Sequence, residues 1–212
     1  MKPTTTSLYH YVHCPFCVRV RLALGFLNQE YASFVVPYDD EITPVKLTGK
    51  KMLPIIEYQG KIINESLDII SLIDVDKKIP GFLDKDFESL LNKIGNEVHS
   101  LAMPYWIWTP EFNESSRRYF QTKKEEKRGP FKNLVKNRQV YIDALEKIWP
   151  EIEANLNSYF QSEHLTIRDI ALAAHLWGLY VVPEYRFPEK IHQYLQRVKT
   201  TCHFDYHADF WK

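Results

Sequence analysis

Apolar and polar positions change their period along this chain. Ser7–Val12 is a short β-rich run, and Val18–Leu27 carries Leu, Val, Ala and Phe at helical spacing. Tyr31–Val36 reads as a second strand and Thr43–Leu47 as a short helical turn. Pro54–Tyr58, the Gln59-Gly60 turn and Lys61–Ile63 make a hairpin pattern. Ser66–Ile73 returns to helical spacing through Leu67, Ile70 and Ile73. The resulting order, β-α-β-(α)-β-β-α, is that of an α/β unit. A polar stretch containing Pro80-Gly81 follows and reads as a linker. Beyond it the pattern is helical throughout. Phe87–Met103 should stop near Pro104, and Asn113–Lys127 is highly charged, like a solvated face. Phe131–Asn157 should break at Trp149-Pro150, and Thr166–Tyr180 and Pro188–Thr201 complete the set. The expected organisation is residues 1–74, a linker at 75–86 and an all-helical part at 87–212.

Thr166-Ile167-Arg168-Asp169 has the form of a capping box, a hydroxyl at the N-cap and a carboxylate three residues on. Leu165 and Ile170 flank it as a hydrophobic staple. Asp169 is therefore expected to serve structure, not catalysis.

Composition narrows the function classes. Lys plus Arg and Asp plus Glu each total 27 in 212 residues, so the formal net charge is zero. That balance argues against a nucleic-acid or membrane-surface footprint. The first twelve residues lack the apolar core of a signal peptide, and no apolar run approaches the ~20 residues of a membrane span. A cytoplasmic location is expected. Of three cysteines, two form Cys14-Pro15-Phe16-Cys17 between the first strand and the first helix. In a reducing compartment such a pair is redox-active more often than structural.

The physics of that position favours chemistry. Two cysteines three apart at a helix start fall one turn from each other, within the roughly 4.4–6.8 Å Cα separation a disulfide needs. Unpaired N–H groups and the helix dipole lower the pKa of the first thiol below the roughly 8.5 of free cysteine. Pro15 suits a first helical turn because it lacks the N–H that would go unpaired. Zinc is the competing reading, but it wants four ligands, and Cys202 with His203 and His207 supplies no second CxxC. Two buried structural cysteines are another alternative. Cys202 itself is structural or merely exposed.

His13-Cys14-Pro15-Phe16-Cys17, Lys51-Met52-Leu53-Pro54 and Glu65-Ser66 occur in the order and spacing of the glutaredoxins. The helical half resembles glutathione transferases. Together they resemble the bacterial glutaredoxin 2 family, two-domain glutaredoxins with a transferase-like shape. CPFC in place of the commoner CPYC is a mild departure.

The resemblance implies a thioredoxin-like α/β N-terminal domain and an all-α, glutathione-transferase-like C-terminal domain. It implies a glutathione-dependent thiol–disulfide oxidoreductase, with Cys14 as nucleophile and Cys17 as resolving thiol. Glutathione is the co-substrate, with no metal. The expected partners are disulfide-containing or glutathionylated proteins, and the chain is expected to be a monomer. A cis Leu53-Pro54 bond would turn the Leu53 backbone toward the cysteinyl part of glutathione. Ser66 would take its γ-glutamyl carboxylate, with Glu65 facing the ammonium. Lys51, or its neighbour Lys50, would take the glycine carboxylate, and Phe16 would cover the apolar side. His13, read as exposed, would support the thiolate electrostatically. Arg19 and Arg21 are assigned only surface or interdomain contacts. For each site residue a plain structural reading stands beside this one: an N-cap for Ser66, a strand-start proline for Pro54, a solvated charge for the lysines and core packing for Phe16. The alternatives at the level of function are a transferase or dehydroascorbate reductase, and a non-catalytic binding module on the same fold.

Overall fold

The structure, a computed structural model, describes residues 6–208. Four short strands, β1 (Ser7–His10), β2 (Ala32–Val35), β3 (Ile55–Tyr58) and β4 (Lys61–Asn64), form one mixed sheet in the order β2-β1-β3-β4. β1 runs parallel to β2 and antiparallel to β3, pairing Leu8 with Ile56 and Tyr9 with Ile55. Alternation sends these pairs to opposite faces. Leu8 and Ile56 join the main core beneath α1 (Pro15–Phe26) and α3 (Ser66–Ile73). Ile55 and Tyr9 meet Leu47 of α2 (Ile42–Thr48) in a smaller cluster that contains Cys17 and Leu53.

The expected first strand ends early, at His10 in place of Val12. The next two amides leave the ladder: Tyr11 N–H points at Cys17 Sγ (3.4 Å) and Val12 N–H donates to Glu111 Oε1 (2.7 Å). The linker is tied down as well. Asp74 accepts the N–H groups of Lys78 and Ile79, and Pro80 O accepts Ile167 N–H.

Helices then follow from α4 (Lys85–Trp106) to α10 (Glu189–Thr201). Pro104 does not stop α4. It lies in the last turn, where it removes a single backbone bond, and the burial of Met103, Pro104 and Trp106 carries the helix two residues further. α5 (Glu114–Arg128) is less solvated than its charge suggests. Ser116 and Phe120 are buried, and Ser116 Oγ accepts Tyr38 N–H from the sheet half. The long apolar pattern after Phe131 divides into α6 (Phe131–Lys136), α7 (Arg138–Glu146) and α8 (Trp149–Ala154). The second break is the expected one at Trp149-Pro150, and the first, at Asn137, has no proline or glycine to signal it.

α9 (Ile167–Leu176) is the central helix, packed on both α1 and α4, and it passes into a 3₁₀ turn at Trp177–Val181. Gly178 is required there, since a Cβ would lie 2.5 Å from the Trp106 ring, whose Nε1–H donates to Gly178 O. Gly25 is as constrained: a Cβ would meet Cys202 O at 1.8 Å, which brings α1 onto the backbone after α10. Cys202 is fully buried and serves this packing.

The capping box forms as expected. Thr166 Oγ1 accepts Arg168 N–H (3.2 Å), and the fully buried Asp169 accepts Thr166 N–H at 2.8 Å. Asp169 does more than cap, because its other oxygen accepts Phe160 N–H (2.7 Å) and Tyr194 O–H (3.1 Å). Thr166→Ala should cost about 0.5–2 kcal/mol, the usual range for a lost cap. Asp169→Ala should cost more, since each buried donor left unpaired adds about 1–3 kcal/mol. Urea unfolding of the two variants checks both the losses and their order.

Candidate active site

Cys14 is the N-cap of α1, in extended backbone, with Pro15 at the first helical position. Its sulfur is half-buried and faces the free N–H groups of the first turn. The Cys17 S–H donates to it, and so do the Phe16 and Cys17 amides, with Lys124 of α5 adding positive charge. Against the cost of burial these donors bring the Cys14 thiol down to about 7. Cys17 is fully buried, and desolvation followed by the adjacent Cys14 pushes its thiol well above the ordinary value. One thiolate and one retained proton are what the helix-start geometry predicts for this pair.

His13 differs from its expected role. It is 2% exposed, stacked on Trp106 at 5.3 Å, and held between Tyr206 O–H at Nδ1 (2.8 Å) and Thr109 Oγ1 at Nε2 (2.7 Å). Burial first, then His207 and Arg21, hold its pKa well below the usual value, so the ring is neutral and supplies no charge to the thiolate.

Beside the α1 start lies a cleft of about 420 Å³ between the halves, lined by Phe16, Arg19, Glu65, Ser66, Glu88 and His175 among others. Three expected glutathione contacts, Phe16, Glu65 and Ser66, come together here. Phe16 is 48% exposed, so it is a wall of the cleft and not part of the core. Ser66 is not an N-cap. Glu65 takes that position with φ at +74°, and the Ser66 hydroxyl accepts from Arg19 Nη1 at 3.2 Å. A non-glycine residue at positive φ is a sparsely populated conformation that clusters at ligand sites.

Arg19, assigned no binding role from sequence, is 4% exposed, lies over the Phe16 ring at 5.2 Å, and has a buried Nε without a hydrogen-bond partner among the described residues. Arg21 makes the interdomain contact, donating to the carbonyls of Asp205 and Tyr206.

The remaining expected contacts lie outside this cleft. Leu53 and Pro54 meet in a cis peptide bond, with Leu53 packed in the cluster that holds Cys17 and touches Cys14. Lys51 Nζ is engaged by Glu41 Oε1 (3.1 Å) and Tyr119 O–H (2.7 Å), and Lys50 is exposed. Sequence reading missed Arg19, Lys124 and Glu111. A basic residue two positions beyond the second cysteine was the only local signal for any of them. No group of three or more His, Cys, Asp or Glu side chains suited to a metal occurs among the described residues.

A thioredoxin-like sheet carrying a CxxC thiolate, joined to a helical half across a cleft, defines a two-domain protein of the glutathione-transferase architecture. The family model "Glutathione S-transferase, N-terminal domain" matches residues 8–78, and "Glutaredoxin 2, C terminal domain" matches residues 86–207. The chain belongs to the glutaredoxin 2 family. It is 29% identical to glutaredoxin 2 of Escherichia coli over 202 residues, 89% of this chain and 91% of that one. The crystal structure of glutaredoxin 2 from Salmonella typhimurium in complex with glutathione superposes with a TM-score of 0.86 at 27% identity, covering 97% of this chain and 98% of that one. Glutathione transferase GSTFuA3 from Phanerochaete chrysosporium shares the fold, with a TM-score of 0.82 at 15% identity over 96% and 99% of the two chains.

Because the Cys17 S–H is the foremost donor to the Cys14 sulfur, Cys17→Ala should raise the Cys14 pKa from about 7 toward the roughly 8.5 of free cysteine. Cys17→Ser, which keeps a donor, should hold it near 7. The pH dependence of alkylation at Cys14 distinguishes the two, and an equal value in both variants would remove Cys17 as the donor.

Proposed function

We propose that this chain is a glutathione-dependent thiol–disulfide oxidoreductase that acts through Cys14 and Cys17 on glutathionylated and disulfide-containing proteins. The observation that carries this reading is the asymmetric dithiol: a half-buried thiolate at the helix N-terminus, one turn from a buried thiol that keeps its proton.

The Cys14 thiolate attacks a substrate disulfide. A Cys14–substrate disulfide forms, and the substrate's other sulfur leaves as a thiolate that takes a proton. Cys17 then loses its proton and attacks Cys14 Sγ, releasing the second substrate thiol and closing a Cys14–Cys17 disulfide. One glutathione opens that bond, and a second displaces the first as glutathione disulfide, so two electrons pass from two glutathiones to the protein. A glutathionylated substrate needs only Cys14, since glutathione itself resolves the intermediate.

The cleft fits an amino-acid zwitterion. Arg19 and the Ser66 hydroxyl at the start of α3 suit a carboxylate, and Glu65 with Glu88 suits an ammonium. This supports the γ-glutamyl end of glutathione at that place, with Phe16 along its apolar side. The Leu53 backbone beside the thiols suits the cysteinyl part. Lys51 reaches the glycine carboxylate in this reading by giving up its contact with Glu41. A transferase needs one thiol or hydroxyl and has no use for a buried second cysteine, which argues against that reading. No helix among the described residues is long and apolar enough to cross a membrane. A monomer working in the reducing cytoplasm accords with this chemistry.

Turnover of a glutathione–hydroxyethyl mixed disulfide, run beside a transferase substrate, tests the activity class. Cys14→Ser should abolish exchange. Cys17→Ser should still turn over the mixed disulfide and lose most reduction of protein disulfides, and glutathione trapped on Cys17 in preference to Cys14 would overturn the assignment. Activity should rise with pH through about 7 as Cys14 ionises. Ser66→Ala and Lys51→Ala should each raise the glutathione KM about tenfold, near 1.4 kcal/mol. An unchanged KM in either variant removes that residue from the site.

A further inference from the structure

Behind the thiols stands a buried carboxyl from the helical half that the exchange steps above do not use. Glu111 lies in the turn between α4 and α5 and is 7% exposed. Its Oε1 accepts Val12 N–H at 2.7 Å, while the preceding amide, Tyr11 N–H, points at Cys17 Sγ at 3.4 Å. Adjacent amides of one loop thus hold the resolving sulfur and this carboxyl.

Glu111 Oε2 is 3.2 Å from His13 Nε2, and both side chains are fully buried. The histidine does not neutralise it. Thr109 Oγ1 donates to Trp106 O at 2.7 Å, so it accepts the His13 Nε2–H, and Tyr206 O–H donates to Nδ1. The ring is the neutral tautomer with its one proton already committed. Oε2 accordingly accepts no side-chain hydrogen bond among the described residues, and the carboxyl is met by the backbone amides of Val12 and His13.

The groups facing the carboxyl are known from every side. The β1–α1 loop brings Tyr11, His13 and Cys14, and α1 brings Cys17 and Arg21. The loop after β2 brings Tyr38, and the segment after α10 brings Tyr206, with His207 against His13. Arg21 brings the guanidinium among them, and its Nη2 is spent on the Asp205 and Tyr206 carbonyls. Burial, and after it the neighbouring Cys14, lifts the Glu111 carboxyl to about 8.

We propose that Glu111 is a positioning residue coupled to the dithiol, holding the Cys14 loop through Val12 and taking up a proton when the Cys14–Cys17 disulfide is reduced. Two glutathiones supply two electrons and release two protons as glutathione disulfide forms and the protein S–S bond breaks. One proton goes to the Cys17 sulfur. Above about pH 7 Cys14 stays a thiolate. Its new negative charge lies beside Glu111 and drives the second proton onto that carboxylate. In the disulfide form the Cys14 charge is absent, and Glu111 releases the proton again.

This inference rests on the reading of Cys14 and Cys17 as the redox couple, and the test separates the two. The whole protein and Glu111→Gln, which keeps an oxygen for Val12 N–H, are equilibrated with glutathione buffers of known potential at several pH values. The disulfide fraction is read by mass spectrometry after acid quenching. With the buffer held at one potential, uptake of one proton per two electrons changes the reduced-to-disulfide ratio tenfold per pH unit, and uptake of two changes it a hundredfold. Between about pH 7 and 8 the unaltered protein should be steeper than tenfold per unit, and Glu111→Gln should fall toward tenfold. Superimposable pH dependences overturn the role of Glu111 while leaving the couple intact. Failure to form the disulfide in the unaltered protein overturns the couple and the inference together. Should the variant not fold, the reduced-minus-oxidised infrared spectrum of the unaltered protein must show a protonated carboxyl gained on reduction, and its absence overturns the proposal.

Discussion

Two backbone amides that the sheet cannot pair set the architecture of this site. β1 ends at His10, and the chain must turn into α1 within four residues to present Cys14 at its N-terminus. Tyr11 and Val12 are thereby left as donors in a dry interior, where an unmade hydrogen bond is expensive. Their acceptors are Cys17 Sγ, one turn into the helix, and Glu111 Oε1, from the far half of the molecule. The sheet half alone therefore does not satisfy the loop that carries Cys14. The stack of Tyr11 on Tyr38 and of Tyr38 on Phe112 closes the same seam with apolar surface.

What could be read from the sequence was what local rules govern. The CxxC at a strand–helix junction, the Gln59-Gly60 hairpin and the capping box each depend on neighbours a few residues away, and each forms where expected. The misses are tertiary. The burial and neutrality of His13 come from Trp106, Thr109 and Tyr206, roughly a hundred residues or more along the chain. Arg19 reads as a surface charge on a helix, but α9 covers that face and leaves its guanidinium in the cleft. The break at Asn137 carries no sequence punctuation, and α4 runs through Pro104 because packing outweighs one lost bond.

One fold serves glutaredoxins and transferases, so fold cannot assign the chemistry. Here the assignment turns on where protons sit. A transferase needs a single group to activate glutathione, whereas exchange needs a nucleophile and a second thiol that waits. Burial does the waiting: Cys17 keeps its proton because its ionised form would be desolvated beside an existing thiolate. The same burial lets the Cys17 S–H stabilise Cys14, so the buried thiol lowers the pKa of the half-buried one.

A buried site of this size tolerates little negative charge. Cys14, Cys17, Glu111 and the Tyr11, Tyr38 and Tyr206 hydroxyls all share it, and all but Cys14 are shifted toward their neutral forms, with burial as the largest cause for each. Nearby cations are few, Lys124 at the edge and Arg21 behind, and the histidine next to the thiolate is neutral. Cys14 takes the charge because it alone combines partial exposure with several convergent donors. Selection of one ionised group among six is thus a competition for hydrogen bonds. The helix start wins it, since its amides are aimed at the sulfur by the fold and have no other partner to satisfy.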